Sequence, residues 1–324
     1  MPQNTSLPPT VVKGPPANVR LGPLTQRLLS GSKWQGTDQF PAWQVWADDV
    51  ESVLAFLDRE NRLADFLAVI QNARNEQHRN AYLAEARGSY FLNQNCFRIL
   101  EWEPQGEGNN KGEALVSYPG SPDIFVEVKQ PGWRGERLPL STRERNRLPQ
   151  AEKEKRYLRM KREKFLPGVT EGGATGSHHF AMSVVRRNAL PKLTDQRPNL
   201  AIVVDDCTVT VVGLPFLAEY VQQEFLCPAH DPDDPDDRWT YERLGGVLFL
   251  QPESVGTTIE YKMDFVVNPS VLPSCALPLP VVALFSKLRD ITEEREQQRY
   301  AGVPSFSEML KKRWALQGTN SQSN

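Results

Sequence analysis

The chain has 324 residues, 39% of them hydrophobic, enough to build one large core. Its formal net charge of −2 excludes a polycation that grips nucleic acid through its bulk field, so any such binding has to come from a local patch. No apolar run reaches the ~18 residues that a spanning helix needs, and the N-terminal stretch lacks the pattern of a signal peptide, so a cytoplasmic protein with no membrane partner is expected.

Residues 1–37 read as a disordered tail. Pro8-Pro9 and Gly14-Pro15-Pro16 interrupt any helical or strand period. Residues 38–316 read as one α/β domain, and residues 317–324, all small or polar apart from the chain's last turns, as a second tail. A helix is predicted from near Ala42, where Trp43, Trp46, Val50, Val53, Leu54 and Leu57 recur at helical steps. Leu63, Phe66, Leu67 and Ile70 mark a second helix. A third covers roughly Glu76 to Gln94, with Tyr82, Leu83, Ala86, Tyr90 and Phe91 inward. The period then changes to that of strands at Cys96 to Trp102, Ala114 to Tyr118 and Asp123 to Lys129, separated by a polar loop (Pro104 to Gly112) and a turn (Pro119 to Pro122).

Beyond these strands, a helix is predicted from Gln150 onward and another over His179 to Leu193, which Pro191 should end or kink. Asn199 to Asp206 is a nearly continuous apolar run, the signature of a strand covered on both faces. Val209 to Leu214, Gly246 to Leu250 and Ile259 to Val267 are further strands, and Phe285 to Tyr300 and Ser307 to Leu316 are closing helices. The four cysteines, Cys96, Cys207, Cys227 and Cys275, lack the spacing of a zinc site.

The chemistry concentrates on Asp123-Ile124-Phe125-Val126-Glu127-Val128-Lys129. On a strand, Ile124, Val126 and Val128 share one face, while Glu127 and Lys129 share the other, about 6.6 Å apart. With Pro122-Asp123 just before and an acid-bearing helix ahead of the strands, a functional pair is preferred over an edge-strand ion pair.

This stretch resembles the PD-(D/E)XK nuclease superfamily, whose fold is restriction-endonuclease-like. The resemblance rests on the Pro-Asp and Glu-x-Lys motifs and on the order helix, three strands, helix, apolar strand over about Glu76 to Asp206. It implies a central mixed β-sheet flanked by helices, here with N-terminal helices and a C-terminal strand extension. It also implies a Mg²⁺-dependent phosphodiesterase, with Mn²⁺ as the substitute, acting on nucleic acid and first of all DNA. Glu127 would be a metal ligand, Lys129 would orient or polarise the attacking water, and Glu85 on the preceding helix would complete the ligand set. Asp123 is the motif's other carboxylate. On a regular strand, however, Asp123 and Glu127 stand about 13 Å apart, too far to share one cation. Either the strand bends there, or Glu113, at the start of the preceding strand, takes its place, and a one-residue register shift decides whether Glu113 faces the site.

Between Arg134 and Lys164 stand twelve Lys/Arg and five Glu, a local net of +7. Arg143, Arg145, Arg147 and Arg156 are the candidate phosphate contacts, which would position nucleic acid without reading its sequence. Arg186, Arg187 and Lys192 are the next candidates. The competing expectation is a nuclease fold without catalysis, used to bind nucleic acid or a protein partner, which includes a second copy of the chain.

Overall fold

The computed structural model describes residues 19–30, 43–73, 76–130, 185–204, 241–255 and 258–299. Four helices come first: α1 (Pro23–Leu29), α2 (Trp43–Arg59), α3 (Leu63–Gln71) and α4 (Glu76–Gln94). Strands β1 (Arg98–Trp102), β2 (Ala114–Ser117), β3 (Ile124–Lys129), β4 (Asn199–Val204), β5 (Gly246–Val255) and β6 (Thr258–Val267) follow, and helix α5 (Leu279–Arg299) comes after them. The strands form one mixed sheet in the order β1-β2-β3-β4-β5-β6. The pairs β1/β2, β2/β3 and β5/β6 are antiparallel, whereas β3/β4 and β4/β5 are parallel. The expected mixed sheet flanked by helices is therefore the architecture. All six residues of β4 are buried, as its apolar run requires of a strand with neighbours on both sides.

Each face of the sheet has its own core. On one face Ile124, Val126 and Val128 of β3 pack with Phe91 and Leu92 of α4 and with Val281 and Phe285 of α5. On the other, Phe125 of β3 packs with Val185, Ala189, Leu190, Leu193 and Leu244. A third cluster joins α1, α2 and α3 to α4. There Trp46, Val50, Val53, Leu54 and Leu57 form the α2 face that helical spacing predicts, and Leu63, Leu67 and Ile70 form that of α3. Within this cluster Arg87 of α4 and Asp49 of α2 make a buried ion pair at 2.7 Å. The Tyr261 hydroxyl of β6 donates to the same carboxylate at 3.3 Å.

Three expectations change. The first concerns the 1–37 tail, because α1 is folded and docked. The Glu51 carboxylate accepts from the Leu24 and Thr25 amides and from the Thr25 hydroxyl, at 3.2, 2.7 and 2.8 Å. Leu28 is fully buried. Seven residues are too few to show a clear helical period, so a long-range cap and one leucine anchor do what propensity does not. The second concerns His179 to Leu193. Its described part is a π-helical turn (Val185–Ala189) and a 3-10 turn (Leu190–Lys192), not an α-helix. Pro191 has no amide hydrogen to continue an α-helical ladder. The third is smaller: α5 begins at Leu279 because Pro280 is well suited to a first helical turn. The elements expected at 150–165, 209–214 and 307–316 lie outside the described residues.

Replacing Leu28 by alanine should cost about 2–5 kcal/mol of unfolding free energy, as for other fully buried leucines. Removing residues 1–30 should cost at least as much. Urea denaturation checks both, and an unchanged midpoint in either would mean that α1 contributes nothing to the core.

Candidate active site

Strand β3 alternates as expected, and both of its faces are covered. The pairings Ala114↔Val126 and Leu115↔Phe125 set the register against β2. Glu113 stands immediately before β2, one residue outside the last pair of that register, Ala114↔Val126. The Glu113 amide donates to the Val126 carbonyl at 3.0 Å, one residue off the Ala114↔Val126 pairing, so the chain bulges at this strand end. Glu113 is nonetheless near enough to Glu85, Glu127, Lys129 and Lys192 for their charges to act on its carboxyl.

Asp123 is not brought to the site. It is exposed and precedes the first residue of β3, at the end of the strand opposite Lys129. Regular strand rise from Ile124 onward keeps it roughly 13 Å along the backbone from Glu127. The motif-based assignment of Asp123 as a ligand is corrected accordingly.

Helix α4 supplies the next carboxylate. Gly88 faces Val128, and a Cβ on Gly88 would stand 2.7 Å from a Val128 methyl. Only glycine allows the helix to lie this close to β3. Glu85, almost one turn earlier, then reaches the end of the strand, where its Oε1 is 3.5 Å from Lys129 Nζ.

Glu127 is fully buried, and two ammonium groups meet at its Oε1: Lys129 Nζ at 2.5 Å and Lys192 Nζ at 2.6 Å. Lys129 also donates to the Val128 carbonyl at 2.8 Å. Glu127 Oε2 is buried and has no hydrogen-bond partner among the described residues. Lys192, a reserve candidate for a phosphate contact on sequence grounds, stands at Glu127. It arrives from 65 positions later in the chain, and no local pattern announces that approach.

The electrostatics follow from this crowding. Burial, and then the Glu85 carboxylate, push the Glu113 carboxyl up to about 8, with Glu127 adding to the effect and both lysines opposing it. Burial raises Glu85 as well, against the pull of Lys129. Burial alone would lower Lys129, but the Glu127 and Glu85 carboxylates outweigh it and hold Lys129 above its ordinary value. Lys129 is therefore an ammonium at neutral pH and serves as a fixed positive charge, not as a base. When all five groups are ionised, three carboxylates against two ammoniums leave a formal charge of −1.

The donor set fits a hard divalent cation in kind: three carboxylates from three elements, mutually repelling, one with an unpartnered buried oxygen. As the side chains stand, no group of three His, Cys, Asp or Glu among the described residues is gathered closely enough to hold a metal ion. The lysines supply the positive charge at Glu127 instead. Arg143, Arg145, Arg147 and Arg156 lie outside the described residues. No helix among the described residues is long and apolar enough to cross a membrane. Comparison with known proteins yields no matching family model, no matching curated protein and no matching solved structure.

The Glu113 carboxyl gives a stability prediction. Its folded value of about 8 lies above the ordinary 4.5, so the folded state keeps a proton that the unfolded chain loses across this window. Stability therefore falls as pH rises from about 4.5 to about 8. Glu113→Gln, which is neutral throughout, should melt several degrees above the parent at pH 8.5. The difference should vanish below pH 4.5. A pH series of thermal melts in EDTA measures it.

Proposed function

We propose that the chain is a metal-dependent phosphodiesterase of the restriction-endonuclease-like class, hydrolysing nucleic acid, with DNA as the first substrate to test. The observation that carries this reading is the convergence of Glu85, Glu113, Glu127 and Lys129 at the end of β3. One helix and two antiparallel strands bring them there, in the order α4-β1-β2-β3 followed by the parallel strand β4. The Glu-x-Lys resemblance implies that order with a helix between β3 and β4; of that connection the described part is a π-helical turn and a 3-10 turn, and Glu113 stands in for Asp123.

Phosphodiester hydrolysis needs a polarised phosphoryl group, an oriented water and a stabilised leaving oxygen. A divalent cation bound by Glu85, Glu113 and Glu127 would supply Lewis-acid polarisation. The residues themselves do the rest. Glu127, fixed in the middle of a sheet, has no freedom to leave the site and anchors it. Lys129, permanently charged, places a compact positive charge where negative charge builds up on the attacked phosphate. The Glu85 carboxylate holds that ammonium from the helix side. Glu113, which favours its protonated form when the site holds only the two lysines, would ionise as further positive charge arrives.

A second reading is a nuclease-like fold that binds without cutting. One observation favours it: the carboxylates as they stand are not gathered into a metal-holding group.

Cleavage of plasmid and oligonucleotide DNA with Mg²⁺ or Mn²⁺ separates the two. Glu127→Ala and Lys129→Ala should each lower the rate at least about 100-fold, the scale on which single transition-state contacts act. Asp123→Ala should leave the rate within about threefold, a change of less than 1 kcal/mol. Independently of activity, Mn²⁺ should raise the thermal midpoint of the parent and not that of Glu127→Gln. Full activity in Lys129→Ala would remove the proposed mechanism. Absence of both cleavage and a metal-dependent shift would favour the non-cutting reading.

A further inference from the structure

We infer that Lys192 is the residue that takes up a non-bridging phosphate oxygen of the substrate. This rests on the nuclease reading above and names the substrate contact within the same site. The two lysines at Glu127 differ in how their hydrogen-bond donors are spent. The Lys129 ammonium faces Glu127, Glu85 and the Val128 carbonyl, so its three N–H groups are committed. The Lys192 ammonium has one partner among the described residues, Glu127 Oε1. Its side chain is 29% exposed, so an ammonium with three N–H donors is open to a further partner. A part-exposed ammonium that makes one bond among the described residues, beside the carboxylates, is suited to bind an anion from solution.

The backbone of Lys192 is held in place to do this. The Glu107 amide donates to the Lys192 carbonyl at 3.0 Å, and Asn110 Nδ2 donates to the Pro191 carbonyl at 3.1 Å. Both come from the β1–β2 loop. Gly106 of that loop lies so close that an added Cβ would stand 2.2 Å from the Lys192 carbonyl oxygen. On the far side Arg243 pairs with Glu107 at 3.3 Å, which fixes the loop in turn.

The alternative is a purely structural cation, and the test is built on binding. Lys192→Met, Lys192→Gln and Lys192→Arg are compared with the parent in EDTA by fluorescence anisotropy. The probe is a labelled 20-base-pair duplex and the same single strand, over a salt series. Losing one charge-assisted contact should weaken binding by roughly tenfold in the Met and Gln variants. It should also flatten the salt slope by about one ion. Lys192→Arg should recover most of the affinity, and thermal melts show which variants fold. If Lys192→Met does not fold, Lys192→Gln carries the comparison. Unchanged affinity and slope in the neutral variants would overturn the assignment, even if their melting points fall. Cleavage with Mg²⁺ or Mn²⁺ is read in parallel. A parent that binds but never cuts, with the Lys192 effect intact, ends the catalytic reading and leaves Lys192 as the phosphate contact. A parent that cuts, with neutral variants that bind and cut equally well, ends the Lys192 assignment alone. No binding by the parent at low salt overturns both.

Discussion

A carboxylate with no access to water stands in the middle of a six-stranded sheet, and much of the site's architecture follows from that. Burying an isolated charge costs several kcal/mol even after relaxation, unless opposite charge and hydrogen bonds offset it. Glu127 meets this requirement through Lys129, two residues along the same strand, and Lys192, delivered by a clamped turn on the sheet's Phe125 face. Neither lysine can be placed without the strand register, the loop of 104–112 and the turn of 190–192 each being correct. One oxygen of Glu127 meets both lysines, while the other has no hydrogen-bond partner among the described residues. That imbalance is a poor way to stabilise a core and a good way to hold a site ready for positive charge.

Helix α4 shows how such a site is aimed. Glu85, Arg87 and Gly88 lie within one turn and have different tasks. Arg87 is pinned by a buried ion pair to Asp49 of α2, and breaking such a pair leaves an uncompensated charge in the core. Gly88 seats the helix against Val128. With the rotation and the depth of the helix both set, Glu85 can point only to the end of β3. The helical layer of α1, α2 and α3 lies far from the chemistry in sequence, yet through Asp49 it fixes where a site carboxylate points.

The same crowding separates stability from function. Burial first, and then the neighbouring carboxylates, raise the proton affinity of Glu113 and Glu85. The folded chain bears that cost at every pH at which these groups would otherwise ionise. A structure selected for stability alone would replace one of them by a neutral residue. Three acids around two lysines are what the proposed phosphodiesterase would use to hold a cation beside a phosphate.

Much of this could be read directly from the sequence. Helical spacing located α2, α3 and α4 and their buried faces, and period-two alternation located β1 to β3 and put Glu127 and Lys129 on a common face. The apolar run at Asn199 announced an inner strand. These are local signals, in which residues a few positions apart share one surface. What required the tertiary structure is non-local. Whether Glu113 or Asp123 comes near Glu127 depends on how the chain enters β2, where the ladder slips by one residue at Glu113. Lys192 meets Glu127 across 65 positions, and α1 is held by a carboxylate 26 residues away. Sequence spacing carries the repeat of a helix or a strand, but not the angle at which two elements pack or the partner a buried charge finds, because those are set by the whole sheet closing around it.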